Sequence, residues 1–214
     1  YDNFTDIVKY NYVHTMNNMG NPDTMIIDPI LKYRVVAHTI PPVESEIISI
    51  QPGKHTIIPL NTPQGKLKIV LNTKEDYQFI VKKADENQTI NVQKINSTQK
   101  YLTGKYDIEL LTLPRQYFKS VSINQNQLTK LQLPSTGLAN ILLPANGYGG
   151  VYFNDGDLLK EIYKFNGESN QYKLTLLPGK YTVVYRAKSS KKYIYIDEKT
   201  FVIKSGKSQL IKIY

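Results

Sequence analysis

Histidine is the side chain best suited to moving protons or holding a metal near neutral pH, and this chain has three: His14, His38 and His55. Each stands alone. No second histidine and no carboxylate lies at ligand spacing, and the chain has no cysteine. A tetrahedral zinc site draws four N, S or O ligands from short-range pairs, so zinc is not expected. Nucleophile signatures are also missing, including any G-x-S-x-G elbow. The Gly-Lys pairs in "PGKH" (Pro52–His55) and "SGKS" (Ser205–Ser208) lack the first glycine and the following helix of a phosphate loop, so they read as hairpin turns. In "FNDGDLLKE" (Phe153–Glu161), Asn154, Asp155 and Asp157 could put several oxygens around a hard cation. Asn-Asp-Gly-Asp between apolar runs is better explained as a turn. No catalytic, cofactor-binding or metal-ligating residue is assigned.

One stretch interleaves aromatic and basic residues: "YTVVYRAKSSKKYIYI" (Tyr181–Ile196). Rings stack on bases or sugars and cations meet anions, so this pattern suits a polyanion or glycan surface. The candidate contacts are Arg186, Lys188, Lys191, Lys192, Tyr193 and Tyr195. Tyr181 and Tyr185 fall on one strand face. Tyr33 and Tyr106 hold the place matching Tyr181 in stretches that have no basic hairpin, which assigns Tyr181 to a core. Tyr193 and Tyr195 remain the surface candidates.

The elements that would position these residues repeat. "LTGKYDIELLTLP" (Leu102–Pro114) returns as "LLPGKYTVVYRAK" (Leu176–Lys188), with a fainter version in "ILKYRVVAHTIPP" (Ile30–Pro42). The shared tyrosines, Tyr33, Tyr106 and Tyr181, recur at nearly even spacing. In each copy a turn precedes an alternating run such as Tyr106, Ile108 and Leu110, whose side chains share one face of a strand. A short polar turn follows downstream: Gln51–Lys54, Asn124–Gln127 and Lys204–Lys207. The offset from Tyr33 to Lys54 equals that from Tyr106 to Gln127. The offset from Tyr181 to Lys207 is longer by five, and the extra length is assigned to the tip "KSSKKY" (Lys188–Tyr193). A period of roughly 75 residues is too long for a solenoid repeat and fits small domains in a row.

Composition agrees. Of 214 residues, 41% are hydrophobic, enough for real cores, and 17 are tyrosine, which favours pleated, half-buried surfaces. The 11 prolines and 12 glycines punctuate short strands. "DGDLLKEIYKF" (Asp155–Phe165) is the best helix candidate, yet it reads equally well as turn and strand. The expected fold is all-β, in tandem small antiparallel β-sandwich repeats of immunoglobulin or prealbumin type. The expected units are residues 1–42, a partial sandwich that is either a shorter variant or one whose opening strands would lie upstream of Tyr1, then 43–115, then a basic third repeat at 116–214. The segment "KSVSINQNQLTKLQLP" (Lys119–Pro134) could close the second unit or open the third. No Ser/Gly-rich linker separates the units, so contiguous packing is expected. No run of 18 apolar residues exists, and the first residues do not have the pattern of a signal peptide.

The net charge of +9 is uneven: −1 over residues 1–42, +2 over 43–116 and +8 over 117–214. A basic last unit suits an anionic neighbour. Lysines on exposed strands also keep sheet edges soluble and unpaired.

The runs "NPDTMIIDPILKYRVVAHTIPPV" (Asn21–Val43), "QPGKHTIIPLNTPQG" (Gln51–Gly65), "KYLTGKYDIELLTLPR" (Lys100–Arg115) and "LLPGKYTVVYRAKSSKKYIYIDEKTFVIKSG" (Leu176–Gly206) together resemble the C-terminal region of secreted von Willebrand factor type A (VWA) domain proteins of Bacteroidota. The resemblance implies tandem β-domains behind an exported VWA domain, in the periplasm, on the outer membrane surface or secreted. The Asp-x-Ser-x-Ser motif through which VWA domains bind a divalent ion does not occur here, so no metal residue carries over. Secreted proteins of that phylum can be O-glycosylated at Asp-Ser/Thr followed by an apolar residue or Thr, and Asp23-Thr24-Met25 fits, making Thr24 a candidate site. The expected function is a non-catalytic stalk or adaptor meeting envelope or cell-surface proteins and an upstream VWA domain. The alternative is a carbohydrate- or polyanion-binding module that uses the basic third unit.

Overall fold

A computed structural model describes residues 27–86, 88–189 and 196–213. Among them every regular element is a strand. Asp155–Phe165 is a turn and a strand: Gly156 takes the positive φ (60°) that closes a hairpin, and the strand that follows pairs antiparallel with the one before it.

Two complete sandwiches share one topology. The first of them comprises β5 (Gln64–Val70), β6 (Gln78–Lys83), β7 (Thr89–Lys94), β8 (Gln99–Leu102), β9 (Gly104–Leu110), β10 (Gln116–Ile123) and β11 (Leu128–Gln132). Its sheets run β10-β9-β6-β7 and β11-β5-β8. The second comprises β12 (Gly137–Leu142), β13 (Gly147–Asp155), β14 (Leu158–Lys164), β15 (Gln171–Leu176), β16 (Gly179–Ala187), β17 (Asp197–Ile203) and β18 (Ser208–Lys212). Its sheets run β14-β13-β16-β17 and β15-β12-β18, the same order strand for strand. All pairs are antiparallel except β11 with β5 and β18 with β12, where the last strand of each unit lies parallel to its first.

The alternation read from sequence builds the cores. Tyr106, Ile108 and Leu110 on β9 join Leu67, Ile69 and Phe79 in one, and Tyr181, Val183 and Tyr185 on β16 join Ile141, Val151 and Phe201 in the other. Each signature tyrosine buries its ring and turns its hydroxyl back on its own chain: Tyr106 donates to the Leu102 carbonyl at 2.7 Å, and Tyr181 to that of Leu177. The pairing of a buried hydroxyl with a main-chain oxygen makes tyrosine tolerable where phenylalanine would otherwise suffice.

The first unit supplies a smaller hairpin: β1 (Lys32–Tyr33), β2 (Val36–Ala37), β3 (Val43–Glu44) and β4 (Ile48–Ser49). Tyr33 faces Ile48 and Ala37 faces Val43. One repeat later, Tyr106 faces Val121 and Leu110 faces Gln116, so the hairpin has the β9–β10 register pair for pair. The corner repeats too. Thr39 and Thr112 donate their hydroxyls to the carbonyls of Pro41 and Pro114, and both prolines follow cis peptide bonds.

The sheets place the boundaries differently from the expected 1–42, 43–115 and 116–214. The cut after Pro42 falls inside the β2–β3 hairpin, and the cut after Arg115 separates β9 from its partner β10. Lys119–Pro134 therefore closes the second unit, since β11 pairs with β5, and the third begins at β12. Sequence similarity marks what repeats, whereas hydrogen bonding marks what closes.

Candidate functional site: the basic strand end and the joints

β16 carries the described part of the basic candidate surface. Its inward residues Tyr181 and Tyr185 are core, 0% and 1% exposed. On the outer face Arg186 sits opposite Tyr148 of β13, with its guanidinium carbon 5.9 Å from the ring centroid. That is a cation–π contact on a half-exposed ring. Lys188 follows at the strand end, its side chain exposed and its amide bonded to the Asn146 carbonyl at 3.0 Å. Lys191, Lys192, Tyr193 and Tyr195 lie outside the described residues, as does Thr24. Arg186 and Lys188 thus stand close together at one end of the third unit.

Two of the three residues considered for a cation, Asn154 and Asp155, have other partners. Asp155 pairs with Lys160 across the β13–β14 turn, and Asn154 accepts from the Thr182 hydroxyl at 3.1 Å. His38 and His55 are both exposed, and His14 lies outside the described residues. Among the described residues no group of three or more His, Asp or Glu side chains converges as a metal site requires. An open cleft lined by Gln64, Lys66, Lys100 and Asn126, among others, contains no carboxylate or histidine. No helix among the described residues is long and apolar enough to cross a membrane.

The most built contacts outside the cores are the joints between units. Leu113, in the corner after β9, packs against the core of the third unit. Leu177, which precedes β16, is buried in the core of the second. The Leu177 amide donates to the Leu113 carbonyl at 2.8 Å, so Leu177 is inserted into the second unit's core, the half-buried Leu113 packs against the third unit's, and the backbones meet between them. Around them the Tyr77 hydroxyl donates to the Thr175 carbonyl at 3.2 Å, and the Thr175 hydroxyl donates to Glu75 at 3.0 Å. Burial and the nearby Glu75 charge both raise the Tyr77 pKa.

The preceding joint is the same device. Ile40 holds the place of Leu113 one repeat earlier, and it packs against the core of the second unit. Leu102 likewise holds the place of Leu177, and its amide donates to the Ile40 carbonyl at 2.8 Å. Sequence reading missed both joints, although their signal was visible in the repeated Thr-apolar-Pro (Thr39–Pro41, Thr112–Pro114) and the leucine before each strand. The third unit differs: its matching corner is occupied by the lengthened basic segment that begins at Lys188.

Neither a known protein family nor any curated protein matches this sequence. Solved structures are similar to it at low identity. The Bacillus anthracis TIE protein matches at 20% identity over 70% of this chain and 33% of that one, with a TM-score of 0.28. The matched part thus spans a third of the TIE protein's length. GBS52, the minor pilin of Streptococcus agalactiae, matches at 11% identity over 70% of this chain and 94% of that one, with a TM-score of 0.38. A C-terminal fragment of the pilus adhesin SpaC of Lactobacillus rhamnosus GG matches at 9% identity over 70% and 97%, with a TM-score of 0.21.

Proposed function

We propose that this chain is a non-catalytic stalk or adaptor segment of a cell-envelope or secreted protein. It displays an upstream VWA domain and meets partner proteins through its sandwich faces and edges. The supporting observation is the repeated joint: at two successive junctions a leucine amide, of Leu102 or Leu177, donates to the carbonyl of an apolar corner residue, Ile40 or Leu113, that packs against the next unit's core. An interface that packs apolar side chains across a junction resists bending, whereas exposed linkers let domains move independently. A device repeated at a fixed period holds whatever precedes it at a set distance, as a stalk must. The test is the mass of the native protein in its own envelope and secreted fractions. A chain well above 24.5 kDa, with peptides from an Asp-x-Ser-x-Ser domain ahead of Tyr1, is expected. A 24.5 kDa cytosolic protein would end the proposal.

A second reading, polyanion or glycan binding by the third unit, is favoured by the place of the basic segment. Its first residue, Lys188, follows the strand that sets Arg186 over the Tyr148 ring. On immobilised heparin it requires salt-sensitive retention that Lys191→Ala with Lys192→Ala abolishes. Retention unchanged in the double variant would reject it.

A further inference from the structure

The first unit contains the turn that introduces the closing strand of a sandwich, but among the described residues the segment after it pairs with no strand. Gln51–Lys54 is closed by the Lys54 amide on the Gln51 carbonyl at 3.2 Å, as Asn124–Gln127 (3.2 Å) and Lys204–Lys207 (3.1 Å) are closed. The third residue of each turn has positive φ: Gly53 at 69°, Asn126 at 58° and Gly206 at 66°. After the later two turns the chain forms β11 and β18, each parallel to the first strand of its own unit. After the first turn comes His55–Leu60, which has the same alternation: Ile58 and Leu60 stand where β11 and its exit have Leu131 and Leu133. Yet none of the amides of His55, Thr56, Ile57, Ile58 and Leu60 (Pro59 has no N–H) has a hydrogen-bond partner among the described residues, and Ile57 is 88% exposed.

The two complete units show what covers this edge. In the second unit the Gln127 carbonyl accepts from the Lys66 amide at 2.8 Å, and the Asn126 amide donates to the Gln64 carbonyl at 2.9 Å. In the third, the Lys207 carbonyl accepts from the Leu138 amide at 2.9 Å and the Gly206 amide donates to the Thr136 carbonyl at 3.2 Å. The equivalent groups of the first unit are the Lys54 carbonyl and the Gly53 amide. Both covering strands have a glycine at or next to their first residue, pressed against the turn: a Cβ on Gly65 would lie 2.2 Å from the Asn124 carbonyl oxygen, and one on Gly137 2.7 Å from that of Lys207. Buried residues then follow at alternate positions, Leu67 and Ile69 in one unit, Ala139 and Ile141 in the other. The residue before the turn is sealed by this strand: Ile123 and Ile203 are 1% and 2% exposed, whereas their equivalent Ile50 is only half-buried.

We infer that His55–Leu60 is a docking edge for an extended segment of the form Gly-x-apolar-x-apolar, lying parallel to it and contributed by the same polypeptide ahead of Tyr1. An open strand edge with a preformed turn is a template for strand addition. The repeat register selects the source. Gly65 stands about 40 residues ahead of Gly104, and Gly137 stands about as far ahead of Gly179. Counted back from Leu31, the equivalent of Gly104, that separation falls roughly 10 residues ahead of Tyr1. The inference rests on the reading that this stretch belongs to a longer chain.

Amide hydrogen exchange tests it on the 214-residue chain and on the same chain extended by about 30 native residues ahead of Tyr1, the reach the register requires. Alternate amides of His55–Leu60 are expected to exchange about 100-fold slower in the extended chain. A peptide with the sequence of Gln64–Leu71, which carries the required pattern, is expected to slow the same amides in the shorter chain and to leave the extended chain unchanged. Equal exchange in the two chains would overturn the inference. So would peptide binding to the extended chain, which would show the edge still open and leave it to a strand from another molecule. The result is independent of whether a VWA domain lies further upstream, so failure here and failure of the stalk reading are told apart.

Discussion

Leu176 and Leu177 are neighbours in sequence but belong to different units' cores, and this gives the sharpest test of the joint. Leu176 is fully buried in the core of the third unit, and Leu177, 5% exposed, is in the core of the second. Leu177→Ala removes the inserted side chain and keeps the backbone, so the 2.8 Å bond from its amide to Leu113 can persist and the perturbation is mainly one of packing. Truncating a buried leucine costs about 2–5 kcal/mol, and the lower half of that range applies where an interface can close over the gap. A sandwich of this size shifts its melting midpoint by roughly 4–8 °C per kcal/mol, so a loss of about 2 kcal/mol predicts a fall of about 8–16 °C. The fall should appear in the second unit, although the substitution lies in the chain of the third. Hydrogen exchange along a thermal or urea titration reads the units separately through the amides of β6 and β9 against those of β13 and β16. Leu176→Ala should give the opposite result, destabilising the third unit and sparing the second. If Leu177→Ala lowers only the third unit, or leaves the amides of β6 and β9 unchanged, the joint does not contribute to the second core.

Further outcomes follow from single contacts. The Tyr101 hydroxyl is buried between Asn91, which donates to it at 2.7 Å, and Gln93, to which it donates at 2.9 Å. Burial pushes its pKa up to about 12. The unfolded tyrosine ionises near pH 10, so folding favours the neutral form: the stabilisation is complete below pH 10 and is lost as pH climbs from there towards 12. Tyr101→Phe should therefore cost about 1–3 kcal/mol at neutral pH by leaving buried amide groups short of a partner, and should flatten the alkaline decline in urea midpoints. An undiminished alkaline slope would locate that titration elsewhere. Gly137→Ala places a methyl 2.5 Å from Ile203 Cγ2 as well as against the Lys207 carbonyl, and should destabilise the third unit to urea by about 1–3 kcal/mol. An unchanged midpoint would show that the strand–turn approach can relax, and would weaken the glycine requirement placed on the strand that covers His55–Leu60.

Much of this protein is legible in its sequence because strand periodicity and turn chemistry are local. Alternation through Tyr106–Leu110 and Tyr181–Tyr185 marks core faces, Gly156 marks a hairpin turn, and the even spacing of Tyr33, Tyr106 and Tyr181 announces repeated units. The Gly206 turn, read from sequence as a hairpin, instead carries the chain from one sheet to the other, since β17 pairs with β16 and β18 with β12. The burial of Tyr181, in preference to a role on the basic surface, followed from its match with Tyr33 and Tyr106. Pairing between distant segments is different, because a strand's own residues do not name its neighbour. Sequence left Lys119–Pro134 open between two units, and only the parallel pairing of β11 with β5 assigned it. The joint depends on Leu177 entering the second unit's core and on Leu113 packing against the third's, and each leucine reads locally as part of its own unit. His55–Leu60 looks like any closing strand until the fold shows its amides unpaired. Local chemistry decided which strands form and which face of each is apolar. What those faces and edges meet was decided by hydrogen bonds and packing between segments far apart in the chain, as where Thr175 reaches Glu75 and β11 returns to β5.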